Sequence, residues 1–80
     1  MAQREIQSPL PGTFYRKPAP DRPPFVKEGD TVKVGDVIGL VEVMKMFNEV
    51  HADQAGKVVR FLAENEAAVE AGQPLLVVEG

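Results

Sequence analysis

The 80-residue sequence contains no cysteine and no long hydrophobic run. Without cysteine the chain can form neither a disulfide nor a thiolate metal site, which suits a reducing compartment, and we expect a cytoplasmic protein. The N-terminal segment MAQREIQSPLPG lacks the apolar core of a signal peptide, and nowhere do about 18 apolar residues follow one another. We therefore expect neither secretion nor insertion into a membrane.

The sequence also lacks an excess of basic charge and the residue groups of common catalytic sites. Its formal net charge is −3 and its pI is about 5.0, so it offers no basic face for phosphates and we expect no nucleic-acid partner. His51 has no second ligand nearby, and no nucleophile lies beside a base, so we expect no metal site and no catalytic residue. A hydrophobic content of 44% predicts one folded domain, residues 1–80, with a small core.

Apolar residues occur in short runs and not at helical spacing. Turn residues such as Gly-Asp, Asp-Gln-Ala-Gly and Gly-Gln-Pro separate the runs EIQS, GTFY, TVKV, VIGLVEV, NEVHA, GKVVRFL and PLLVVE. Many short strands between turns are typical of an antiparallel β-barrel or sandwich, and Leu40 and Leu76 are candidates for its core. The segment LAENEAAVEAG disagrees, because its composition and its terminal glycine favour a short helix.

An internal repeat decides against this helix. A shift of 37 places VEAGQPLLVVE (69–79) over VKVGDVIGLVE (32–42), and a shift of 44 places EVHADQAGKVVR (49–60) over EIQSPLPGTFYR (5–16). A unit of this size cannot bury its apolar face by itself, so the two units should pack against each other. The repeat therefore predicts an all-β fold: a flattened antiparallel barrel or sandwich of two pseudo-twofold-related sheets.

The two shifts differ by seven, so the first half carries seven extra residues between Arg16 and Phe25. Residues 63–71 should then repeat the strand-and-turn structure of residues 26–34. The same symmetry isolates Lys45, because its equivalent would be position 82, beyond the end of the chain. We expect Lys45 to lie at one pole of the molecule.

Lys45 stands between two methionines in the apolar stretch LVEVMKMFNEV. On a continuous strand its charge would share a face with Val43 and Phe47. A chain reversal at Met44 and Lys45 would instead expose the amine at the tip of a hairpin. The Asn-Gly or Asp-Gly pair that usually marks such a turn is missing, so the turn is either strained for a purpose or absent.

These residues resemble the biotinyl domain of biotin carboxyl carrier proteins, a family close to the lipoyl domains. The resemblance extends from SPLPGTFYR to PLLVVE and centres on Met44, Lys45 and Met46 in the predicted hairpin 40–50. It implies that a biotin protein ligase joins biotin to Lys45 through an amide and recognises the two methionines. Val43 replaces the alanine that is commonest in the family, which we expect to alter ligase efficiency at most. Lipoyl domains typically have Asp-Lys-Ala at this tip, so lipoate fits less well.

The resemblance implies a carrier component of a biotin-dependent carboxylase and not an enzyme by itself. Biotin on Lys45 would take up CO2 at a biotin carboxylase and deliver it at a carboxyltransferase, with tethering giving a high effective concentration at both. Acetyl-CoA carboxylase, the enzyme of fatty acid biosynthesis, is the first candidate, although propionyl-CoA and urea carboxylases use similar domains. An unmodified β-barrel that binds proteins through a proline-rich loop is the alternative from another class.

That loop is the segment RKPAPDRPPF, residues 16–25. Because proline cannot donate to a sheet ladder, the segment should leave the barrel as a protruding, semi-rigid loop. It resembles the thumb of acetyl-CoA carboxylase carrier domains, which lies against the hairpin and touches biotin. The resemblance implies biotin contacts for Thr13, Tyr15, Arg16 and Pro18. A passive surface loop, or a PxxP ligand for an SH3-type groove, would have the same composition.

Overall fold

The computed structural model describes residues 2–80, which form eight β-strands and no helix, and therefore no helix that could cross a membrane. The strands are β1 Gln3–Gln7, β2 Gly12–Tyr15, β3 Thr31–Val32, β4 Val37–Val43, β5 Met46–His51, β6 Gly56–Phe61, β7 Ala67–Val69 and β8 Pro74–Glu79. They form two four-stranded antiparallel sheets, with the orders β1-β8-β6-β3 and β5-β4-β2-β7. The predicted all-β architecture is confirmed, and the segment with helical composition contains strand β7.

The two sheets reproduce the repeat that the sequence predicts. The equivalent strands are β1 and β5, β2 and β6, β3 and β7, and β4 and β8. Replacing each strand by its equivalent converts the strand order of one sheet into that of the other. The turns repeat as well, because the Gly35 N–H donates to the Ala52 carbonyl and the Gly72 N–H donates to the Ser8 carbonyl, both at 2.8 Å.

Gly12 and Gly56 begin the equivalent strands β2 and β6, and the same steric constraint requires glycine at both positions. A Cβ atom at Gly12 would overlap the carbonyl oxygen of Glu42, and one at Gly56 would overlap that of Glu79. These carbonyls lie at equivalent positions of β4 and β8. Each half therefore needs glycine where one strand passes very close to its neighbour.

The core lies between the two sheets and consists largely of equivalent pairs. Six buried pairs related by the repeat are Ile6 and Val50, Phe14 and Val58, Val26 and Ala63, Val32 and Val69, Ile38 and Leu75, and Val41 and Val78. Leu76 is fully buried, as predicted, whereas Leu40 is only half-buried. Since both halves contribute to one core, neither buries its apolar face alone.

Strand β6 contains an irregularity that its equivalent β2 lacks. The pairing of β6 with β8 shifts between Val58 and Arg60, whereas β2 pairs with β4 without a shift. Val59 is thus a bulge, and Phe61 takes the place of Arg16 in the repeat. The repeat shifts missed this bulge because Arg60 and Arg16 are identical residues. The insertion of the first half is therefore one residue longer than predicted.

Residues 16–25, here called the proline-rich loop, lie outside both sheets. The Phe25 N–H donates to the Arg16 carbonyl at 2.9 Å and closes the base of the loop. The Arg22 N–H donates to the Ala19 carbonyl at 3.1 Å and forms a turn near its tip. The loop follows β2 directly, at the position where the second half has only Phe61 and Leu62.

Candidate functional site

Strands β4 and β5 form a hairpin whose two-residue turn consists of Met44 and Lys45. Val43 pairs with Met46 on either side of it. The φ angles of Met44 and Lys45 are 51° and 66°, the combination of a type I′ turn, which follows the twist of the strands but normally contains Asn or Gly. Residues with a Cβ pay about 1 to 2 kcal/mol each for this left-handed conformation. The chain does reverse at Lys45, with residues that strain the turn.

The side chains of the turn point into solvent. Lys45 is exposed, and Met44 and Met46 are 91% and 69% exposed. Lys45 forms no ion pair within residues 2–80. Methionine adapts to many surfaces, so two exposed methionines beside a free amine suit recognition by a second protein better than core packing. The tip can also carry a covalent group on the lysine nitrogen without disturbing any described contact.

Tyr15 connects β2 to both arms of the hairpin. Its hydroxyl donates to Glu42 Oε1 at 3.0 Å, and its ring centroid lies 5.7 Å from that of Phe47 at an interplanar angle of 56°. Glu42 and Phe47 pair across the hairpin. The hydrogen bond to Glu42 raises the pKa of Tyr15 above its ordinary value, and desolvation and the charges of Glu42 and Glu66 act in the same direction. Tyr15 therefore remains a hydrogen-bond donor at neutral pH.

The proline-rich loop lies beside this aromatic pair. A pocket of about 120 Å³ separates the two, and its lining is Tyr15, Lys17, Pro18, Ala19, Pro20, Phe47, Asn65 and Glu66. Two aromatic rings, two prolines and an alanine make the pocket mostly apolar, with a few polar groups at its edge. Such a lining is typical of a small-molecule site, but the pocket is smaller than the roughly 300 to 1,000 Å³ usual for one.

The residues predicted to form the thumb occupy different places. Thr13 and Tyr15 lie on β2, and only Arg16 and Pro18 belong to the proline-rich loop. Tyr15 and Pro18 line the pocket, whereas Thr13 is a half-buried residue between β4 and β7. The guanidinium carbon of Arg16 lies 3.6 Å from the centroid of the Phe61 ring, in a groove of its own. The structure thus brings together two of the four residues.

Outside the proline-rich loop, sequence reasoning missed three residues of the pocket: Phe47, Asn65 and Glu66. Asn65 Oδ1 accepts the backbone N–H of Arg16 at 2.7 Å, a contact between residues 49 positions apart that no local pattern shows. Glu66 has a φ angle of 68° and is equivalent to Gly29, whose φ angle is 96°. The repeat was the one available signal, because it places Glu66 at a turn.

His51 and Glu49 lie on the outer part of β5. His51 Nδ1 lies 2.8 Å from the Gly35 carbonyl and is placed to donate to it, and Nε2 lies 3.4 Å from Glu49 Oε1. Within residues 2–80 no group of three or more His, Cys, Asp or Glu side chains could hold a metal ion. His51 therefore ties the end of β5 to the turn at Gly35.

A protein-family model described as "Biotin-requiring enzyme" matches residues 4–78. The chain is 49% identical over 74 residues to a chloroplastic biotin carboxyl carrier protein of acetyl-CoA carboxylase from Glycine max, covering 92% of this chain and 28% of the relative. It is also 49% identical over 74 residues to the biotin carboxyl carrier protein of acetyl-CoA carboxylase from Haemophilus influenzae, covering 92% and 48%. The chain thus spans less than half of either relative.

Two solved structures contain a domain of the same fold. The Kluyveromyces lactis urea carboxylase matches with a TM-score of 0.77 and 30% identity over 99% of this chain and 6% of its own. A single-chain, multi-domain long-chain acyl-CoA carboxylase matches with a TM-score of 0.76 and 28% identity over 94% and 7%. The predicted cofactor, biotin, is the one that the family and the carrier relatives are named for. The resemblance read from the Met-Lys-Met hairpin is confirmed: the chain belongs to the biotin-requiring enzyme family.

Proposed function

We propose that this chain is a biotin carrier, with biotin joined to the Nζ atom of Lys45 by an amide. The observation that carries the proposal is the tip of the hairpin. An exposed amine occupies a type I′ turn made of residues that disfavour the turn, and it makes no ion pair within residues 2–80. A lysine there contributes nothing visible to folding, so its position is explained by chemistry on its side chain.

The chain itself supplies a rigid base and a recognition surface for this chemistry. The exposed side chains of Met44 and Met46 offer apolar contacts to a biotin protein ligase. Paired strands β4 and β5 hold the exposed turn on both sides, so that the lysine stem alone provides the reach. When attached, biotin supplies the ureido ring that takes up and releases CO2. The carrier catalyses no step of its own.

The proposed partners are a biotin carboxylase and a carboxyltransferase, most simply those of acetyl-CoA carboxylase. The support is the level of identity: 49% to carrier proteins of acetyl-CoA carboxylase against 30% to urea carboxylase and 28% to a long-chain acyl-CoA carboxylase. The cytoplasm remains our proposed location, to be tested by cell fractionation, because the relatives include plant proteins named as chloroplastic.

We further propose that the proline-rich loop acts as a thumb over the cofactor. Its support is the pocket between the loop and the hairpin arm, which has Tyr15 and Phe47 as its aromatic side. Tyr15 bonds to Glu42, three residues before Lys45, so the pocket is joined to the same hairpin that carries the lysine. An apolar pocket of this kind would shelter a ring system and leave its polar edge in solvent.

Intact mass measurement after co-expression with a biotin protein ligase tests the central proposal. We expect the mass of one amide-linked biotin, and peptide mapping should place it on Lys45. The modification removes one positive charge, so the formal net charge falls from −3 to −4 and the modified band should run faster on a native gel. Label on Lys27, Lys33 or Lys57, or no label where a control carrier is modified, would contradict the proposal and favour an unmodified interaction module.

A further inference from the structure

Arg16 is the first residue of the proline-rich loop, and its side chain points away from the loop toward Phe61. The guanidinium stacks on Phe61, with 3.6 Å between its carbon and the ring centroid, and both side chains are half-buried. Its Nε atom is buried and has no hydrogen-bond partner in the described chain. Glu28 and Glu64 line the same groove, but within residues 2–80 neither forms an ion pair with Arg16. Stacking therefore holds the guanidinium in place.

The backbone of Arg16 is fixed on both sides. Its N–H donates to Asn65 Oδ1 at 2.7 Å, and its carbonyl accepts the Phe25 N–H at 2.9 Å. Asn65 lies beside Glu66, whose N–H donates to the Phe14 carbonyl at 2.6 Å. The entry and the exit of the loop thus meet at one residue, which is tied through Asn65 to the other half of the molecule.

The remainder of the loop has few contacts of this kind. In the described chain, residues 17–24 form one backbone hydrogen bond, between Arg22 and Ala19, and their side chains form no hydrogen bond or ion pair. Proline restricts the φ angle of its own residue but does not set the direction in which a loop leaves a sheet. That direction must be set at the base, where Arg16 lies.

We propose that Arg16 and Phe61 form an anchor that fixes the direction of the proline-rich loop and so keeps the pocket at Tyr15 and Phe47 open. Arg16 is then a positioning residue and not a contact for the cofactor. Because of the bulge at Val59, Arg16 and Phe61 occupy equivalent positions in the two halves of the chain. The anchor is therefore a contact between two residues related by the internal repeat. The anchor is a property of the unmodified chain, and only its consequence for carboxyl transfer rests on the proposed function.

Nitrogen-15 relaxation on the unmodified protein tests the anchor through the loop amides of Lys17, Ala19, Asp21 and Arg22. The variant Arg16→Lys keeps the charge but loses the planar stacking surface. We expect the order parameters of these amides to fall from about 0.85, typical of a rigid backbone, to below about 0.6. Amides of β2 and β6 should keep their values, because the change removes no core side chain.

Substitutions at Phe61 distinguish stacking on its aromatic ring from the general packing of a large apolar side chain. Phe61→Leu should mobilise the loop as Arg16→Lys does, whereas Phe61→Tyr keeps the ring and should preserve loop order. The double variant Arg16→Lys/Phe61→Leu should mobilise the loop no further than either single change, because both break one contact. Arg60→Lys, at an exposed neighbouring position of β6, is the matched control and should leave the loop unchanged.

Two outcomes would overturn the anchor. One is a loop that keeps its order parameters in Arg16→Lys, and the other is a loss of order that spreads evenly over the strands. Carriers labelled with biotin extend the test, since Arg16→Lys should then slow carboxyl transfer while Arg60→Lys should not. Absence of label on Lys45 would refute the proposed function and leave the relaxation result standing. A rigid loop in a fully labelled Arg16→Lys carrier would refute the anchor alone.

Discussion

The two halves of the molecule share their strands, turns and core but differ at two places. After β2 the first half has the ten-residue loop 16–25, where the second half has only Phe61 and Leu62. At the end of β4 a two-residue turn leads into β5, whereas the equivalent strands β8 and β1 pair without any turn between them. The pocket of Tyr15 and Phe47 lies between these two differences.

The features that the two halves share are those that fold the chain, and the features that differ are those for which we propose a role in modification and transfer. Equivalent residues supply the buried apolar pairs and the turn hydrogen bonds, so duplication accounts for the stability of the domain. The left-handed turn at Met44 and Lys45 and the proline-rich loop contribute none of these buried pairs or turn hydrogen bonds. Substitutions at the shared buried positions should therefore have their main effect on stability, and substitutions at the hairpin tip and the loop should have theirs on modification and transfer.

The largest expected effect is the loss of modification in Lys45→Arg. Without a lysine at the tip the ligase has no amine to acylate there, so labelling should fall to background while the melting temperature stays nearly unchanged. Changes at exposed sites usually alter stability by less than about 0.5 kcal/mol. Lys57→Arg, on the opposite sheet, serves as the control and should be labelled fully. Intact mass and thermal unfolding measure the two effects.

A large fall in melting temperature in Lys45→Arg would contradict this separation, because it would make the lysine structural. Labelling that persists in Lys45→Arg would move the attachment site to another lysine. In either case the differences between the two halves would not identify the site of modification.

The second effect concerns the core, where Leu76→Ala should destabilise the domain strongly. Leu76 is fully buried, so its truncation should lower the free energy of unfolding by about 2 to 5 kcal/mol. Leu40→Ala, at a half-buried position, should cost clearly less and is the matched control. Urea unfolding of both variants measures the difference. Equal losses would show that the half-buried leucine contributes as much as the core.

Much of this fold was predictable from the sequence because it is duplicated. The strand runs identified the class, and the repeat corrected the helical composition of LAENEAAVEAG, since the same region of the first half has turn and strand patterns. The bulge at Val59 and the half-burial of Leu40 were not predictable. The bulge depends on the register of β6 against β8, which a match of identical arginines conceals. The burial of Leu40 depends on what packs over its side of the sheet, which the sequence pattern of β4 does not show.

Of the candidate site, only the hairpin tip around Lys45 was predictable from the sequence. The Met-Lys-Met sequence singled out Lys45 and raised a strained reversal as one of two alternatives, but no glycine or asparagine marks the turn, so the sequence could not decide between them. The bond between Tyr15 and Glu42 and the contact of Asn65 with the loop join residues that are 27 and 49 positions apart. Such pairs arise from sheet packing, and alternation along a single strand carries no information about them.

The third prediction concerns a variant that lacks most of the proline-rich loop, which is the larger of the two differences between the halves. Deleting residues 17–24 joins Arg16 to Phe25, which leaves two residues before Val26, as Phe61 and Leu62 precede Ala63. The ends already meet, since the Phe25 N–H lies 2.9 Å from the Arg16 carbonyl, so the shortened chain should fold and accept biotin. Carboxylase turnover should fall roughly tenfold, which corresponds to about 1.4 kcal/mol.

Turnover must be compared at full biotinylation of both carriers, with relaxation of the biotin ring resonances as a second measurement. A more mobile ring together with slower transfer supports a thumb. If ring mobility and turnover match those of the intact carrier, the loop is a passive excursion and the assignment to the acetyl-CoA carboxylase type is weakened.

The smallest expected effect concerns the strain of the turn at Met44. Asparagine tolerates the left-handed conformation, so Met44→Asn should raise the free energy of unfolding by about 0.5 to 1 kcal/mol and yet slow labelling, because an exposed apolar contact is lost. Glu66→Gly relieves the same conformation away from the tip and should stabilise comparably with unchanged labelling. Initial rates of biotinylation and urea unfolding test both variants. Unchanged labelling of Met44→Asn would mean that the ligase recognises the turn geometry and not the methionine, and the strain at this position would then have no role in recognition.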